Sequence, residues 1–297
     1  MLLSLRFIAM SDINIWLLAG TGLFAGIYGS MLGLGGGLLI VPILTLTSPI
    51  PIQFAIGSSL VSIVINSCTA TSVYIRNHMT NLKLGLLLCT TLIPGAAVGA
   101  LLGSYLPAST LTFIFGILLI YMACIMLSKN RNQLSAEKMQ RQNISSTESV
   151  TSHTWSDNSY YDPALGREVN YHVHRPVIGL VTSLLGGALS SMLGIGGGII
   201  NVPVMHILMK IPDKAAIATS SIMLAFTAMT GATIYAFHGF IMPYLIAPLC
   251  IGVYVGSRVG TELACRIKGT AIIIIFSITL ALISVLMILE AVNLIGS

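Results

Sequence analysis

Long apolar segments follow one another along most of this chain, and they constrain its fold more than any other feature. A helix that crosses the hydrocarbon of a bilayer needs about 20 mostly apolar residues. Segments of that order lie at roughly 13–32, 54–75, 82–103, 108–127, 176–193, 214–237, 241–261 and 270–294. Only 8% of the 297 residues are charged, whereas soluble domains average about 25%. The sequence therefore predicts an all-α polytopic membrane protein whose surroundings are the lipid bilayer.

The second half of the chain repeats the first. Residues 22–44 (GLFAGIYGSMLGLGGGLLIVPIL) and 183–205 (SLLGGALSSMLGIGGGIINVPVM) are identical at eleven of 23 positions, with an offset of 161 (183 − 22). The same offset continues without gaps as far as Gly99 and Gly260. Self-similarity at a fixed offset is the signature of a repeated structural unit, so we interpret the chain as a duplicated half.

The repeat divides the chain into three parts. An N-terminal transmembrane repeat covers residues 1–128, a C-terminal repeat covers residues 176–297, and residues 129–175 form the long polar stretch between them. We interpret that stretch as a solvated linker. Within it, the tyrosines and valines of YYDPALGREVNYHVHRP are typical of a short strand. Each repeat is expected to contain a glycine-broken hairpin and three transmembrane helices.

The distribution of Lys and Arg favours two inverted repeats. If each glycine-rich segment crossed the membrane once, the halves would be parallel and the basic residues would divide nine against four. If each segment enters, breaks and returns, twelve of the fourteen basic residues lie on one side. Arg6 then lies on the other side, and Arg258 lies within a span. Because cytoplasmic loops carry an excess of Lys and Arg, the sequence predicts a cytoplasmic linker and both termini outside.

Glycine triplets interrupt two apolar segments at equivalent positions. The triplet residues are Gly35, Gly36, Gly37, Gly196, Gly197 and Gly198. Each Gly costs about 1 kcal/mol against Ala inside a helix, and broken backbone at membrane depth must be buried in protein or line a cavity. Matching breaks in inverted halves indicate a transporter's binding site, where N–H groups at a helix N-terminus suit an anion. The alternative is close helix packing, which is the role we expect of Gly22, Gly26, Gly29 and Gly33.

Polar residues that follow the breaks are further candidates for the solute path. Those at the start of the next helix are Ser58, Ser59, Thr219 and Ser220. Hydroxyls in membrane helices also bond their own preceding turn or a neighbouring helix, and that alternative stays open. Asn201 departs from the repeat, since Ile40 is its counterpart. A buried amide needs hydrogen-bond partners, so a role for Asn201 in binding solute is a further hypothesis.

The charged residues indicate an anionic solute. All nine acidic residues lie in loops or near segment ends, whereas ion pumps generally carry an intramembrane carboxylate. Arg258 lies within a span, where it either attracts anions or snorkels toward the interface. The other basic residues flank membrane segments and do not indicate nucleic acid. The five cysteines show no metal-ligand spacing, so we expect neither a metal nor another cofactor.

The twice-written pattern GxxxG…LGxGGGxxxVP resembles the TauE/SafE family of sulfite and sulfonate exporters. The resemblance rests on Gly33–Pro42 and Gly194–Pro203, with support from residues 160–171 (YYDPALGREVNY), 218–220 and 248–256. It covers nearly the whole chain apart from parts of the linker. The resemblance implies a multi-pass permease of the bacterial cell (inner) membrane, with two homologous halves, that carries small organic or inorganic sulfur anions.

We therefore predict a permease, and not an enzyme, that moves a small sulfur-containing anion across the plasma membrane by alternating access. A passive anion channel is the first alternative, because inverted repeats occur in channels too. An intramembrane hydrolase is the second; it would need a serine paired with a histidine at depth, and no histidine lies in the middle of a span. A homo-oligomer is compatible with the sequence.

Overall fold

The computed structural model describes residues 15–47, 50–120, 157–162, 167–173 and 176–266, together with Ile283. Its elements in chain order are α1 (Ile15–Leu32), α2 (Gly37–Thr47), α3 (Ile52–Arg76), α4 (Leu82–Tyr105), α5 (Ala108–Ile120), β1 (Asp157–Asp162), β2 (Arg167–His172), α6 (Pro176–Leu193), α7 (Gly198–Ile207), α8 (Asp213–Phe237) and α9 (Pro243–Arg266). The predicted all-α membrane fold is confirmed. The segment predicted at 270–294 lies outside the described residues apart from Ile283, as does most of the linker.

Several helices are long and apolar enough to cross a membrane. Within the described ranges they are α1, α3, α4, residues Lys214–Phe237 of α8 and residues Pro243–Cys265 of α9. Helices α2 and α5 and residues Val177–Leu193 of α6 are apolar but shorter. The apolar segments predicted from 54, 82, 214 and 241 onward therefore match α3, α4, α8 and α9 closely. The result is a multi-pass helical membrane protein.

The duplication is visible in the helix boundaries. The first residues of α1, α2, α3 and α4 are 15, 37, 52 and 82, and those of α6, α7, α8 and α9 are 176, 198, 213 and 243. Each difference is 161 (176 − 15, 198 − 37, 213 − 52 and 243 − 82). The two halves therefore fold into the same succession of long helix, glycine break, short helix and two long helices.

The linker contains one small antiparallel hairpin. Strand β1 pairs with β2 in a register that places Asp157 opposite His172 and Asp162 opposite Arg167. The strand expected from the tyrosines and valines is confirmed, although it is accompanied by a second strand. This hairpin lies within the polar stretch, so the membrane bundle itself is helical.

Glycines bring α1 and α9 into close contact. A Cβ atom at Gly22 would overlap the backbone of Leu249, and one at Gly26 would overlap the backbone of Val253. Because the residue numbers rise together, the two helices run parallel. Helices α4 and α6 pack in the same way through Gly95, Gly99 and Gly187. The packing role predicted for Gly22 and Gly26 is confirmed, and it matches the use of small residues between membrane helices. Gly29 and Gly33, for which the same role was predicted, are close-packed as well, against Gly36 and against Ser220 of α8.

Helices α3 and α8 are equivalent elements of the two repeats, and they pack antiparallel. A Cβ at Gly57 would lie 3.6 Å from Tyr235 Cβ, and one at Gly231 would lie 3.1 Å from Leu60 Cδ1. The residue numbers of successive contacts therefore rise along α3 while they fall along α8. Inverted halves require this antiparallel relation between equivalent helices, whereas their orientation in a bilayer stays a prediction.

The predicted orientation can be tested with three single cysteines in a cysteine-free background. Because the linker is predicted to be cytoplasmic, Ser146→Cys and Leu208→Cys should be protected from a membrane-impermeant maleimide in intact cells. His238→Cys, in the loop between α8 and α9, should be labelled. Permeabilised cells, in which all three cysteines should react, are the control. Labelling of Ser146→Cys in intact cells, or protection of His238→Cys, would show that the orientation is wrong.

Candidate functional site

Helices α1 and α6 each end in a Schellman turn at a glycine. Gly33 has a φ of +66°, and the amide of Leu34 donates to the carbonyl of Gly29 at 2.9 Å. Gly194 takes the same place in α6 with a φ of +72°, and the corresponding bond from Ile195 is also 2.9 Å. A left-handed conformation costs other residues about 1–2 kcal/mol. Both helices therefore end at the predicted breaks, in the middle of an apolar segment.

Two further glycines turn the chain back on itself in each repeat. With φ values from +80° to +88°, they are Gly35, Gly36, Gly196 and Gly197. After the turn in the second repeat, Ser183 Oγ lies 3.4 Å from Asn201 Oδ1, and a Cβ at Gly186 would lie 3.4 Å from Ile200 Cβ. The numbers rise along α6 while they fall along α7. Helix α7 therefore runs back along α6, and the break is a hairpin.

The two breaks meet at the centre of the bundle. Ser59 Oγ on α3 donates to the carbonyl of Gly194 at 2.8 Å, and Ser220 Oγ on α8 shares its proton between the carbonyl of Gly33 at 3.2 Å and that of Ile217 in its own helix at 2.9 Å. A Cβ at Gly37 would overlap the same Gly194 carbonyl oxygen. Each repeat therefore uses a serine and a glycine to hold the break of the other repeat. Both candidate serines are buried and act on backbone in this conformation.

The other two candidate hydroxyls differ from each other. Thr219 Oγ1 accepts a hydrogen bond from the amide of Asn81 at 3.1 Å, and Asn81 Oδ1 accepts from the amide of Leu84 at 3.1 Å. Asn81 thus caps the first turn of α4, and Thr219 joins that cap to α8. Ser58 is fully buried, and its hydroxyl has no hydrogen-bond partner in the part of the chain that the structure describes.

Polar side chains surround Gly197, which is the N-cap residue of α7. Measured from the position that a Cβ at Gly197 would occupy, Ser190 Oγ lies 3.3 Å away, Asn201 Nδ2 3.5 Å and Thr227 Oγ1 3.6 Å. All three side chains are buried. We call this group, together with Ser183, the Gly197 cluster. It gathers polar atoms from α6, α7 and α8 around the Cα atom of Gly197.

The Gly197 cluster has donors that suit an anion. Ser183 Oγ donates to Asn201 Oδ1 at 3.4 Å, so the Asn201 Nδ2 group, which carries two N–H donors, is directed toward Gly197. The amides of the first turn of α7 have no acceptor within the helix, and the helix dipole adds a partial positive charge there. Gly197 itself adds no side chain between these polar atoms.

The first repeat has no equivalent of this cluster. The counterparts of Ser183, Ser190, Asn201 and Thr227, 161 positions earlier, are Gly22, Gly29, Ile40 and Asn66. A Cβ at Gly36 would meet the backbone of Ala25, with its carbonyl oxygen at 2.6 Å. Ser183, Ser190 and Thr227 were not among the predicted site residues. For Ser183 and Ser190 the signal is the one that singled out Asn201, namely a polar residue where the repeat has an apolar one or glycine, whereas Thr227 has the polar Asn66 as its counterpart and carries no such signal.

Arg258 lies away from both breaks. It is on the exposed side of α9, next to the exposed Val259, while the preceding Ser257 is buried and donates to the carbonyl of Asn66 at 3.0 Å. The guanidinium therefore extends from the outer surface of the bundle. This position favours snorkelling toward the membrane interface over contact with a solute at the glycines.

Comparison with known proteins agrees with this architecture. The family described as sulfite exporter TauE/SafE matches residues 18–287. The chain belongs to the TauE/SafE family. The glycine breaks and the doubled helix pattern are therefore features of a TauE/SafE membrane transporter, and the resemblance seen in the sequence is confirmed.

Curated relatives of this TauE/SafE protein are also named as transporters. The chain is 28% identical to the probable membrane transporter protein YunE of Bacillus subtilis over 278 residues, which cover 91% of this chain and 96% of the relative. It is 27% identical to a probable membrane transporter protein of Methanocaldococcus jannaschii over 288 residues, which cover 92% and 95%. No solved structure matches the chain. A membrane transporter of a small solute is the function that these matches support.

Proposed function

We propose that this transporter carries a small sulfur oxyanion of the sulfite or sulfonate class and binds its charged head group at the Gly197 cluster. The observation that carries the proposal is the convergence of Ser190, Asn201 and Thr227 on one point beside Gly197. That point lies at the N-terminus of α7, where the helix dipole is equivalent to about half a positive elementary charge. A site of this kind binds anions without a basic side chain.

The charge of the interior supports an anion as the solute. The buried polar side chains of the described residues are serine, threonine and asparagine, and none is charged. A buried carboxylate, which would favour a cation and repel an anion, is therefore lacking among them. The positive end of α7 and the amide of Asn201 then determine the sign of the charge that the site prefers.

The donors of the site suit a compact head group with several oxygen atoms. Asn201 Nδ2 provides two donors, and the hydroxyls of Ser190 and Thr227 now donate to backbone carbonyls of their own helices at 3.1 and 2.8 Å. Bonds of this kind within a turn are easily exchanged by rotation about χ1. A sulfite or sulfonate group has three oxygen atoms that could each accept one donor. The family description names sulfite, whereas the names of the relatives specify no solute.

Alternating access is the mechanism that we propose, in a cell membrane with a cytoplasmic linker and both termini outside. The Ser59–Gly194 and Ser220–Gly33 hydrogen bonds join the two halves at the breaks. Because each bond crosses from one repeat to the other, rocking of one repeat against the other would exchange these contacts. The site would then open first to one side and next to the other.

The two alternatives have weaker support. A passive channel would need a continuous path, whereas the breaks press backbone against backbone at Gly37 and Gly194. A hydrolase would need a histidine near a buried serine. His206 and His238 instead lie at helix ends, with Nδ1 atoms 3.2 and 2.9 Å from the carbonyls of Ile211 and Ile234. We therefore propose a transporter that is not an enzyme.

The proposal can be tested by counterflow of labelled sulfite in proteoliposomes. Asn201→Ile, which introduces the residue found in the first repeat, should raise the half-saturating sulfite concentration about tenfold or more. A hydrogen bond to a charged group contributes about 1.5–3 kcal/mol, and 1.4 kcal/mol corresponds to about tenfold. The matched control is Ile40→Val, which should change it less than twofold. Saturable counterflow excludes a channel, and wild-type kinetics for Asn201→Ile would contradict the proposed site.

A further inference from the structure

Two loops of the bundle are equivalent members of the two repeats. Residues 77–81 join α3 to α4, and residues 238–242, 161 positions later, join α8 to α9. Both loops turn at a residue with positive φ, which is His78 (51°) in the first and Gly239 (74°) in the second. In both, the amide of the next residue donates back to the last turn of the preceding helix, at 3.1 and 2.9 Å. Because α3 and α8 are antiparallel, the matching loops lie at opposite ends of the bundle.

Each loop lies against a helix of the other repeat. In the first loop, the amide of Asn81 donates to Thr219 Oγ1 on α8 at 3.1 Å. In the second, the carbonyl oxygen of Phe240 lies where a Cβ at Gly57 on α3 would be, and the rings of Phe54 and Phe240 meet edge to face with centroids 5.3 Å apart. The two loops therefore lie over the two ends of the contact between α3 and α8.

The hydrogen bond that holds the first loop has no counterpart in the second. At the offset of 161, Ser58 corresponds to Thr219, and Met242 corresponds to Asn81. The equivalent bond would therefore run from the amide of Met242 to Ser58 Oγ. It is not made, because Ser58 Oγ is buried without a hydrogen-bond partner in the described structure. Two equivalent polar pairs are thus in different states, one bonded and the other not.

The unpartnered hydroxyl of Ser58 points to a second conformation. A buried hydroxyl without a partner destabilises the conformation that leaves it so, because it has lost its hydrogen bonds to water and made no others. An alanine at this position would avoid that cost. If the two repeats exchange their conformations, Met242 takes the place that Asn81 has now. Ser58 then gains its donor, and Thr219 loses its own.

We propose that Thr219 and Ser58 are alternating latches of the transporter, an inference that rests on the proposed alternating access. The Asn81–Thr219 bond holds one end of the bundle shut, and a Met242–Ser58 bond replaces it when that end opens. In this structure the Met242 end packs against α3 without its bond, so it is the end that opens from this conformation. Because inverted repeats rock about a fixed site, closing of one latch accompanies opening of the other.

The test measures how fast a soluble maleimide labels a reporter cysteine at each end, in purified full-length protein that has no other cysteine. Thr80→Cys and Ile241→Cys are equivalent half-buried positions, each directly before the loop residue of the latch. Thr219→Val removes the acceptor of the bonded latch. It should speed labelling of Thr80→Cys about fivefold and slow that of Ile241→Cys, as the loss of one neutral hydrogen bond would shift the two populations. Ser58→Ala should have the opposite effect at both reporters.

Each latch variant has a matched control on the same helix. Thr233→Val on α8 and Ser72→Ala on α3 remove hydroxyls that bond the carbonyls of Met229 and Thr69 in their own helices, both at 2.8 Å. Neither control should change the ratio of the two labelling rates. If Thr219→Val does not fold, Ser58→Ala decides the case, because it removes an oxygen that has no partner among the described residues.

Two results would overturn the latches. One is unchanged labelling in the latch variants that fold, and the other is faster labelling at both ends, which would show that the variants loosen the bundle. Counterflow of labelled sulfite separates this inference from the proposed function. If the reporters respond in opposite directions but sulfite shows no saturable counterflow, the latches stand and the proposed solute is wrong. If counterflow saturates but the reporters do not respond, the latches fail and anion transport stands.

Discussion

Replacement of Gly198 by alanine is expected to destabilise the folded protein by about 3 kcal/mol, the upper part of the range for overpacked cores, and to abolish transport. A Cβ at Gly198 would overlap the carbonyl oxygen of Gly33 in the other repeat. Neither atom belongs to a flexible side chain, so the clash can be relieved only by moving the two breaks apart. Gly37→Ala should behave in the same way, because its Cβ would overlap the carbonyl of Gly194.

The matched control for this substitution is Gly20→Ala in α1. A Cβ at Gly20 would have no heavy atom within 4 Å, and alanine is favoured over glycine inside a helix by about 1 kcal/mol. Gly20→Ala should therefore unfold at the wild-type temperature or slightly above it. Thermal unfolding of the purified variants measures the difference. If Gly198→Ala and Gly37→Ala both unfold at the same temperature as Gly20→Ala, the two breaks are not in close contact.

Replacement of Gly197 by alanine is expected to abolish transport while the protein stays folded. The added methyl group would occupy the point on which Ser190, Asn201 and Thr227 converge, at 3.3 to 3.6 Å from their polar atoms. It meets side-chain atoms rather than backbone, so the packing can adjust. The cost to stability is chiefly that of a left-handed residue, because Gly197 has a φ of +83° and this conformation costs a residue with a Cβ about 1–2 kcal/mol.

The control that separates backbone strain from occupancy of the site is Gly239→Ala. Gly239 has a φ of +74°, and a Cβ there would have no atom within 4 Å. Both alanine variants should therefore lose similar stability, whereas only Gly197→Ala should lose sulfite uptake. Wild-type uptake by Gly197→Ala, or equal loss of uptake in both variants, would show that the volume beside Gly197 does not hold the solute.

The sequence alone was sufficient to predict the breaks and their equivalence. Glycine is favoured where φ is positive, so a run of glycines predicts a break in a helix. Because of the offset of 161, a break predicted in one repeat is also predicted in the other. Asn201 could also be identified, because the sequence alone shows an amide at a position where the first repeat has Ile40. The end of α1 at Leu32 and the start of α2 at Gly37 follow from the same glycines.

The convergence of the site residues on one point could not be predicted from the sequence. Ser190 and Thr227 belong to different helices, and they meet beside Gly197 because α8 packs against both α6 and α7. Ser59 and Ser220 were expected near the solute path, but the structure shows their hydroxyls bonded to carbonyls of the opposite break, with Ser220 also bonded to Ile217 of its own helix. Neighbours across two repeats depend on tertiary packing, whereas the repeat offset and local conformational preferences report only on each half separately. Arg258 is a similar case, because the side of α9 on which it lies is determined by the packing of α9 against α1 and α3.

The central claim, that the Gly197 cluster selects the negative charge of a sulfur oxyanion, is tested most directly by calorimetric titration of the purified protein with methanesulfonate and with dimethyl sulfone. The two molecules share a sulfonyl group, and only the first is charged. The account predicts that methanesulfonate binds with one site per chain, because only one repeat has the cluster, and that dimethyl sulfone binds at least tenfold more weakly, as loss of one charge-assisted hydrogen bond would cause. Equal affinity for the two molecules, or two equivalent sites per chain, would contradict it.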